Sequence, residues 1–226
     1  MATEGIDNVD YIRAYMTDRP VIFERSVLVI VDMQNATGSR TGALGRKMAA
    51  EGSTATDYRF HRIETLVQPN IKRMLDGFRA KGGGVIYITI GAARPDAADA
   101  PPHMKKFFAT TGNYVGSKEH EIVEGLEPLD GEFVVRKTSI GAFASTGLDH
   151  LLRSMGWDTL FMTGISTNMC VETTAREAAD RGYLVTMVED ACATTRKELH
   201  GSTMENFKRL FGRVRSTDEV MEELAL

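Results

Sequence analysis

The sequence predicts a single three-layer α/β/α domain built on a mostly parallel, Rossmann-like sheet of about six strands. Three observations carry that reading. Strand-like and helix-like segments alternate along the chain, as right-handed βαβ crossovers require. The clearest strand, Val27-Leu28-Val29-Ile30-Val31, is continuously apolar and β-branched, which marks burial on both faces. The 226 residues suffice for one sizeable core, and no linker divides them.

In chain order, residues 1–25 form an N-terminal extension ahead of the main domain at 26–226. Inside it, residues 7–17 read as a short helix in which Tyr11, Ile12, Tyr15 and Met16 make an apolar stripe. Such a stripe must bury itself on its own subunit or on a neighbour. The first core strand spans 26–32. Residues 35–60, rich in Gly, Ala, Ser and Thr, are too long for a plain strand–helix connection and read as irregular. From Ile63 to Lys81 the apolar positions Ile63, Leu66, Val67, Ile71, Met74, Leu75 and Phe78 fall at helical spacing, closed by Gly82-Gly83-Gly84. These glycines follow a helix rather than a strand, so they are a stop signal and not a dinucleotide fingerprint. Val85 to Ile90 is the next strand. A second long loop, 91–131, carries Pro95, Pro101, Pro102 and Pro128.

Phe133-Val134-Val135 is a short strand that runs into Arg136-Lys137. Thr146 to Met155 follows as a helix, 159–163 as a strand, and 170–181 as a helix with Gly182 suited to its C-cap. Leu184 to Val188 is a strand and Glu198 to Leu210 a helix. A short strand at Arg213 to Ser216 and a helix starting at Thr217 close the pattern.

Composition narrows the partners. A net charge of −4 argues against nucleic acid, which calls for a basic face. The first twenty residues contain no apolar signal-peptide core, and no run approaches membrane-spanning length. Two cysteines make no disulfide framework, and a nucleophilic thiol suits a reducing compartment. The expectation is a cytoplasmic, soluble protein without nucleic-acid or membrane partners.

Three residues stand where chemistry is easiest to build. Cys170 opens a helix after the strand 159–163, where free N–H groups and the helix dipole favour a thiolate. Asp32 ends the first strand and Lys137 ends the strand at 133–135, both at the carboxyl edge where open α/β sheets bind ligands. Singly, each has a plain alternative: a packed cysteine, a turn-capping aspartate, a solvated lysine. All three at strand ends are harder to dismiss together.

These residues sit in four ordered motifs: VLVIVDMQN around Asp32, GEFVVRKTSIGAFASTGLDHLL around Lys137, TGISTNMCVETTAREAADRGY around Cys170, and VEDACA at 188–193. From about Ser26 to Glu189 the chain resembles the isochorismatase-like cysteine hydrolases, which include nicotinamidases, N-carbamoylsarcosine amidases and ureidoacrylate and biuret-type amidohydrolases. The resemblance implies a catalytic triad of Asp32, Lys137 and Cys170. It also implies a cis peptide at Ile165-Ser166 that turns backbone N–H groups of Ser166 and Cys170 toward an oxyanion.

Departures from the family patterns narrow the chemistry. Where nicotinamidases carry an Asp-x-His metal motif, this chain has Gly91-Ala92-Ala93-Arg94, so neither a metal nor a cofactor is expected. Asp57 and His61 share a helix spacing that could hold a metal, but with Arg59 and Arg62 they read as a solvated face. His103, His120, His150 and His200 are scattered, and Cys192, with no base nearby, is assigned a structural role. Family members that cleave vinyl ethers lack the nucleophilic cysteine, whereas Cys170 is present.

The function expected is therefore a cysteine-dependent hydrolase of a small amide or N-carbamoyl (ureido) compound, acting through a thioester. An isochorismatase-type vinyl ether hydrolase and a non-catalytic small-molecule-binding relative are the alternatives. Gln34, Asn35, Arg94 and Phe143, in loops after the first three strands, are the expected substrate contacts: an aromatic beside polar groups suits a small planar ligand. The resemblance, the apolar N-terminal stripe and the long loops 35–60 and 91–131 together predict a homo-oligomer, a dimer or tetramer.

Overall fold

The structure, a computed structural model, describes Ile12 and residues 19–226. The helix expected at 7–17, and its proposed subunit contact, lie outside the described residues apart from Ile12. The described residues form six strands: β1 (Ser26–Val31), β2 (Gly84–Ile90), β3 (Phe133–Lys137), β4 (Thr159–Ile165), β5 (Leu184–Ala193) and β6 (Arg213–Arg215). They form one sheet in the order β3-β2-β1-β4-β5-β6, and every pairing is parallel. The order reverses between β1 and β4, which makes their carboxyl ends the switch-point crevice of a doubly wound sheet.

Alternate side chains of β1 build two cores. Val27, Val29 and Val31 face one layer with Leu148, Leu152, Ala175, Ala178 and Phe207. Leu28 and Ile30 face the other with Ile71, Met74, Leu75, Phe78, Val220 and Leu224. The first layer holds helices α6 (Leu148–Ser154), α7 (Glu172–Asp180) and α8 (Lys197–Leu210), and the second α4 (Gln68–Ala80) and α9 (Thr217–Leu224). This double burial is why β1 reads as an unbroken apolar run. Ser216 and Glu219 form a reciprocal capping box at the start of α9.

The stretch 35–60, expected to be irregular, contains helices α1 (Asn35–Gly38), α2 (Ala43–Ala50) and the start of α3 (Asp57–Arg62). Each is too short to show helical periodicity in sequence. The long loop 91–131 likewise holds α5 (Pro102–Thr111), begun by Pro102 at a position where a missing N–H costs nothing. The helix expected from Ile63 begins earlier: α3 runs without a break into a π-helical turn, Ile63–Val67, and on into α4 at Gln68, next to Pro69. β5 runs on past Val188 to Ala193, with a register shift that brings Cys192 opposite Gly164. Among the described residues, no helix is long and apolar enough to cross a membrane.

Candidate active site

β1 continues its pairing one residue beyond the strand, where the Asp32 N–H donates to Ile88 O at 2.8 Å. Asp32 then turns sharply, with φ of 53°, a left-handed conformation that aspartate tolerates better than bulkier residues do. Lys137 is the last residue of β3, two strands away, and its side chain is fully buried. Its Nζ donates to Asp32 Oδ2 at 2.9 Å and to Ser139 O at 3.2 Å, beyond the end of the intervening β2. Asp32 Oδ1 is buried and has no hydrogen-bond partner among the described residues.

β4 ends at Ile165, the Ile165–Ser166 peptide is cis, and a π-helical turn, Thr167–Val171, follows before α7. Cys170 lies in that turn, one step earlier in the architecture than the α-helix start read from the sequence. Thr174 Oγ1 donates to Cys170 O at 2.7 Å and accepts from the Ala142 N–H at 3.1 Å. That hydroxyl ties the loop after β3 to the turn that presents the thiol.

The electrostatics depart from the expected thiolate. Burial pushes the Cys170 thiol up to about 12, and the negative charge of Asp32 adds to the effect against the pull of Lys137. Desolvation outweighs whatever the helix start offers, so the resting group is a neutral thiol. Burial also holds the Asp32 carboxyl above its ordinary value, despite Lys137, making it a better proton acceptor. For Lys137, burial works to lower the pKa, but Asp32 and Cys170 more than offset it and the group stays an ammonium.

A cavity of about 330 Å3 opens onto these groups. Asp32, Arg59, Ser166 and Cys170 supply polar lining, and Ile140, Ile165 and Met169 apolar lining. From α5 come His103, Met104 and Phe107.

None of the four expected substrate contacts lines this cavity. Gln34 is buried in a structural role: its Oε1 accepts from the Ile90 N–H at 2.8 Å and its Nε2 donates to His120 O at 2.8 Å. Asn35 donates to Lys118 O and faces a different depression beside Arg40 and Glu64. Arg94 is exposed on the loop after β2, paired with Asp96. Phe143 packs against Tyr183 under Arg181 in the core. The aromatic that does line the cavity, Phe107, comes from α5, a helix inside the stretch expected to be loop.

Arg59 departs further from the expected pattern. Expected on a solvated face, it is 4 % exposed, donating from Nε to Thr37 O at 3.0 Å and from Nη1 to Ser166 Oγ at 2.6 Å. Burial lowers its pKa to about 10, so it remains a cation at neutral pH. Arg62 is also occupied inward, donating to Cys192 O, Glu189 O and His200. A signal existed: Arg59 stands between Tyr58 and Phe60 in a short segment that also ends in Arg62. Asp57 points outward, 3.9 Å from Arg40. Among the described residues, no group of three or more His, Cys, Asp or Glu side chains could hold a metal ion. Cys192 is buried and free, its Sγ 3.7 Å from Met162 O.

Comparison with known proteins identifies the family and the fold. Residues 26–219 match the Isochorismatase domain family. The chain is 30% identical over 214 residues to a ureidoacrylate amidohydrolase from Variovorax paradoxus, covering 88% of this chain and 81% of that one. A cysteine hydrolase from Pseudomonas syringae superposes with a TM-score of 0.75 at 26% identity, covering 92% of this chain and 96% of that one. An N-carbamoylsarcosine amidase from Thermoplasma acidophilum does so with a TM-score of 0.64 at 27% identity, covering 86% and 97%.

Proposed function

We propose that this chain, which belongs to the isochorismatase family, is a cysteine-dependent amidohydrolase of a small amide or N-carbamoyl compound. The observation that carries the reading is the buried Lys137–Asp32 pair coupled to the Cys170 thiol at the mouth of one cavity. A buried base, a cation that fixes its position and an adjacent thiol are what nucleophilic acyl transfer requires. The relatives that are 27–30% identical and carry amidohydrolase or amidase names support the same class.

In this mechanism the Cys170 proton passes to Asp32 as sulfur bonds to the carbonyl carbon. Because the resting thiol is neutral, transfer accompanies attack rather than preceding it. The N–H groups of Ser166 and Cys170 hold the oxyanion. The tetrahedral species collapses with loss of the amine, which takes the proton from Asp32 and leaves a thioester. Asp32 then accepts a proton from water as it adds to the thioester carbon, and returns that proton to the departing thiolate. Lys137 stays protonated throughout and compensates the charge on Asp32.

The test is a panel of ureido acids, carbamoyl amino acids and simple amides scored by ammonia release. Turnover of at least one class, absent in Cys170→Ala, is the expected result. Equal turnover by that variant would sink the mechanism.

A further inference from the structure

We propose that Arg59 anchors a carboxylate on the substrate, so that the cavity selects small anionic amides or ureido acids over their uncharged counterparts. The argument begins with charge. Among the described residues Asp32 is the sole acid lining the cavity, and its Oδ2 is already taken by Lys137. Arg59 is a second buried cation acting on Asp32, beside Lys137, and is hydrogen-bonded to no carboxylate among the described residues. With Cys170 neutral, two buried cations face one buried anion. A buried charge left without its own partner is costly, and among the described residues Arg59 has only the charge of Asp32, already shared with Lys137, to offset it. A ligand with its own negative charge supplies that partner.

The geometry fits that ligand. Thr37 O and Ser166 Oγ hold Nε and Nη1, which fixes the guanidinium plane. Nη2 has no protein acceptor among the described residues. A planar guanidinium fixed in this way matches a carboxylate better than a flexible ammonium would. Its contact with Ser166 places the anchor beside the cis peptide, one turn from Cys170. A carboxylate bound there leaves the carbon skeleton against Phe107, Ile140 and Met169. If Arg59 served only to buttress Ser166, a neutral donor would do so without the cost of burying a cation.

The term substrate rests on the amidohydrolase reading, but the first probe needs no turnover. Cys170 is alkylated with iodoacetate and with iodoacetamide at one pH, and the two rates are read by mass spectrometry of the Cys170 peptide. Both reagents consume the same thiolate, so their ratio cancels the thiol pKa and reports charge selection alone. In the wild type, the iodoacetate-to-iodoacetamide ratio should exceed that of a small neutral thiol by about tenfold or more. Arg59→Met should bring it to the small-thiol value, and Arg59→Lys should retain part of the preference. A wild-type ratio no higher than the small thiol's overturns the proposal whether or not a variant folds. So does a high ratio that Arg59→Met leaves unchanged. The second probe compares kcat/KM for N-carbamoyl amino acids with that for their uncharged primary amides. Preference for the anions, lost in Arg59→Met, is expected, and equal use of both overturns the proposal. No turnover of either, with a raised alkylation ratio, would sink the hydrolase reading and leave the anion site standing.

Discussion

Lys137 Nζ lies 2.9 Å from Asp32 Oδ2, and both side chains are shut away from solvent although the whole of β2 separates their strands. Such a pair contributes little net stability, because burial of two charges offsets their attraction. Its value is positional: it fixes a carboxyl oxygen at the switch point of the sheet.

Removing one partner strands the other. Lys137→Met should cost about 3–5 kcal/mol in denaturant unfolding, because the buried Asp32 carboxylate loses its hydrogen-bonded cation. Asp32→Asn combined with Lys137→Met should recover more than half of that loss while remaining inactive. A single variant as stable as the wild type would contradict the pairing.

The thiol offers a separate measurement. Ultraviolet thiolate absorbance, taken as wild type minus Cys170→Ala, should be flat through neutral pH and rise only toward about 12. The sign for stability follows. The folded pKa lies above the ordinary 9.0, so this contribution is present below about 9 and is lost as pH climbs toward about 12. A thiolate signal already complete at neutral pH would refute the neutral resting state.

Gly164 tests how tightly the site's floor is built. It sits in β4 at φ of 104°, and a Cβ there would meet Val31 O at 2.1 Å and Val31 N at 2.8 Å. These are backbone atoms of a central strand and cannot swing aside. Gly164→Ala should therefore destabilise the protein by more than about 3 kcal/mol, through both clash and positive φ. A melting temperature within a few degrees of wild type would show that β1 and β4 can separate locally.

The legible part of the molecule was the part under strong periodic or steric constraint. Double burial wrote β1, β2 and β4 into the sequence as apolar runs, and Asp32 after β1, Lys137 at the end of β3 and Cys170 in the turn after β4 fell at one edge of the sheet. The cavity wall was not written that way. Phe107 and Arg59 come from short helices inside loop-like stretches, where too few turns exist to display a face. Gln34 stands two residues after Asp32, which suggests a substrate contact, but its side chain satisfies the Ile90 N–H and His120 O. The thiolate expectation failed for a related reason: sequence shows a helix start but not how much solvent the fold excludes.

His200 gives the last test, because its tautomer can be read from its partners. Arg62 can only donate, and its Nη2 lies 3.2 Å from His200 Nε2, so that nitrogen accepts and Nδ1 carries the proton. Nδ1 then donates to Thr167 Oγ1 at 3.0 Å. Thr167 opens the π-helical turn that presents Cys170, so a neutral imidazole braces the nucleophile's backbone. Burial, aided by the Arg62 charge, depresses the imidazole from 6.5 to about 4. A depressed folded pKa means that the contribution is fully present above about 6.5 and is lost as pH falls through that value toward about 4. Melting temperature should thus decline through this window in the wild type. His200→Gln can still accept from Arg62 and donate to Thr167 but carries no titrating ring, so its acid limb should be shallower. Parallel wild-type and variant curves between about pH 6.5 and about 4 would show that His200 does not carry the acid sensitivity.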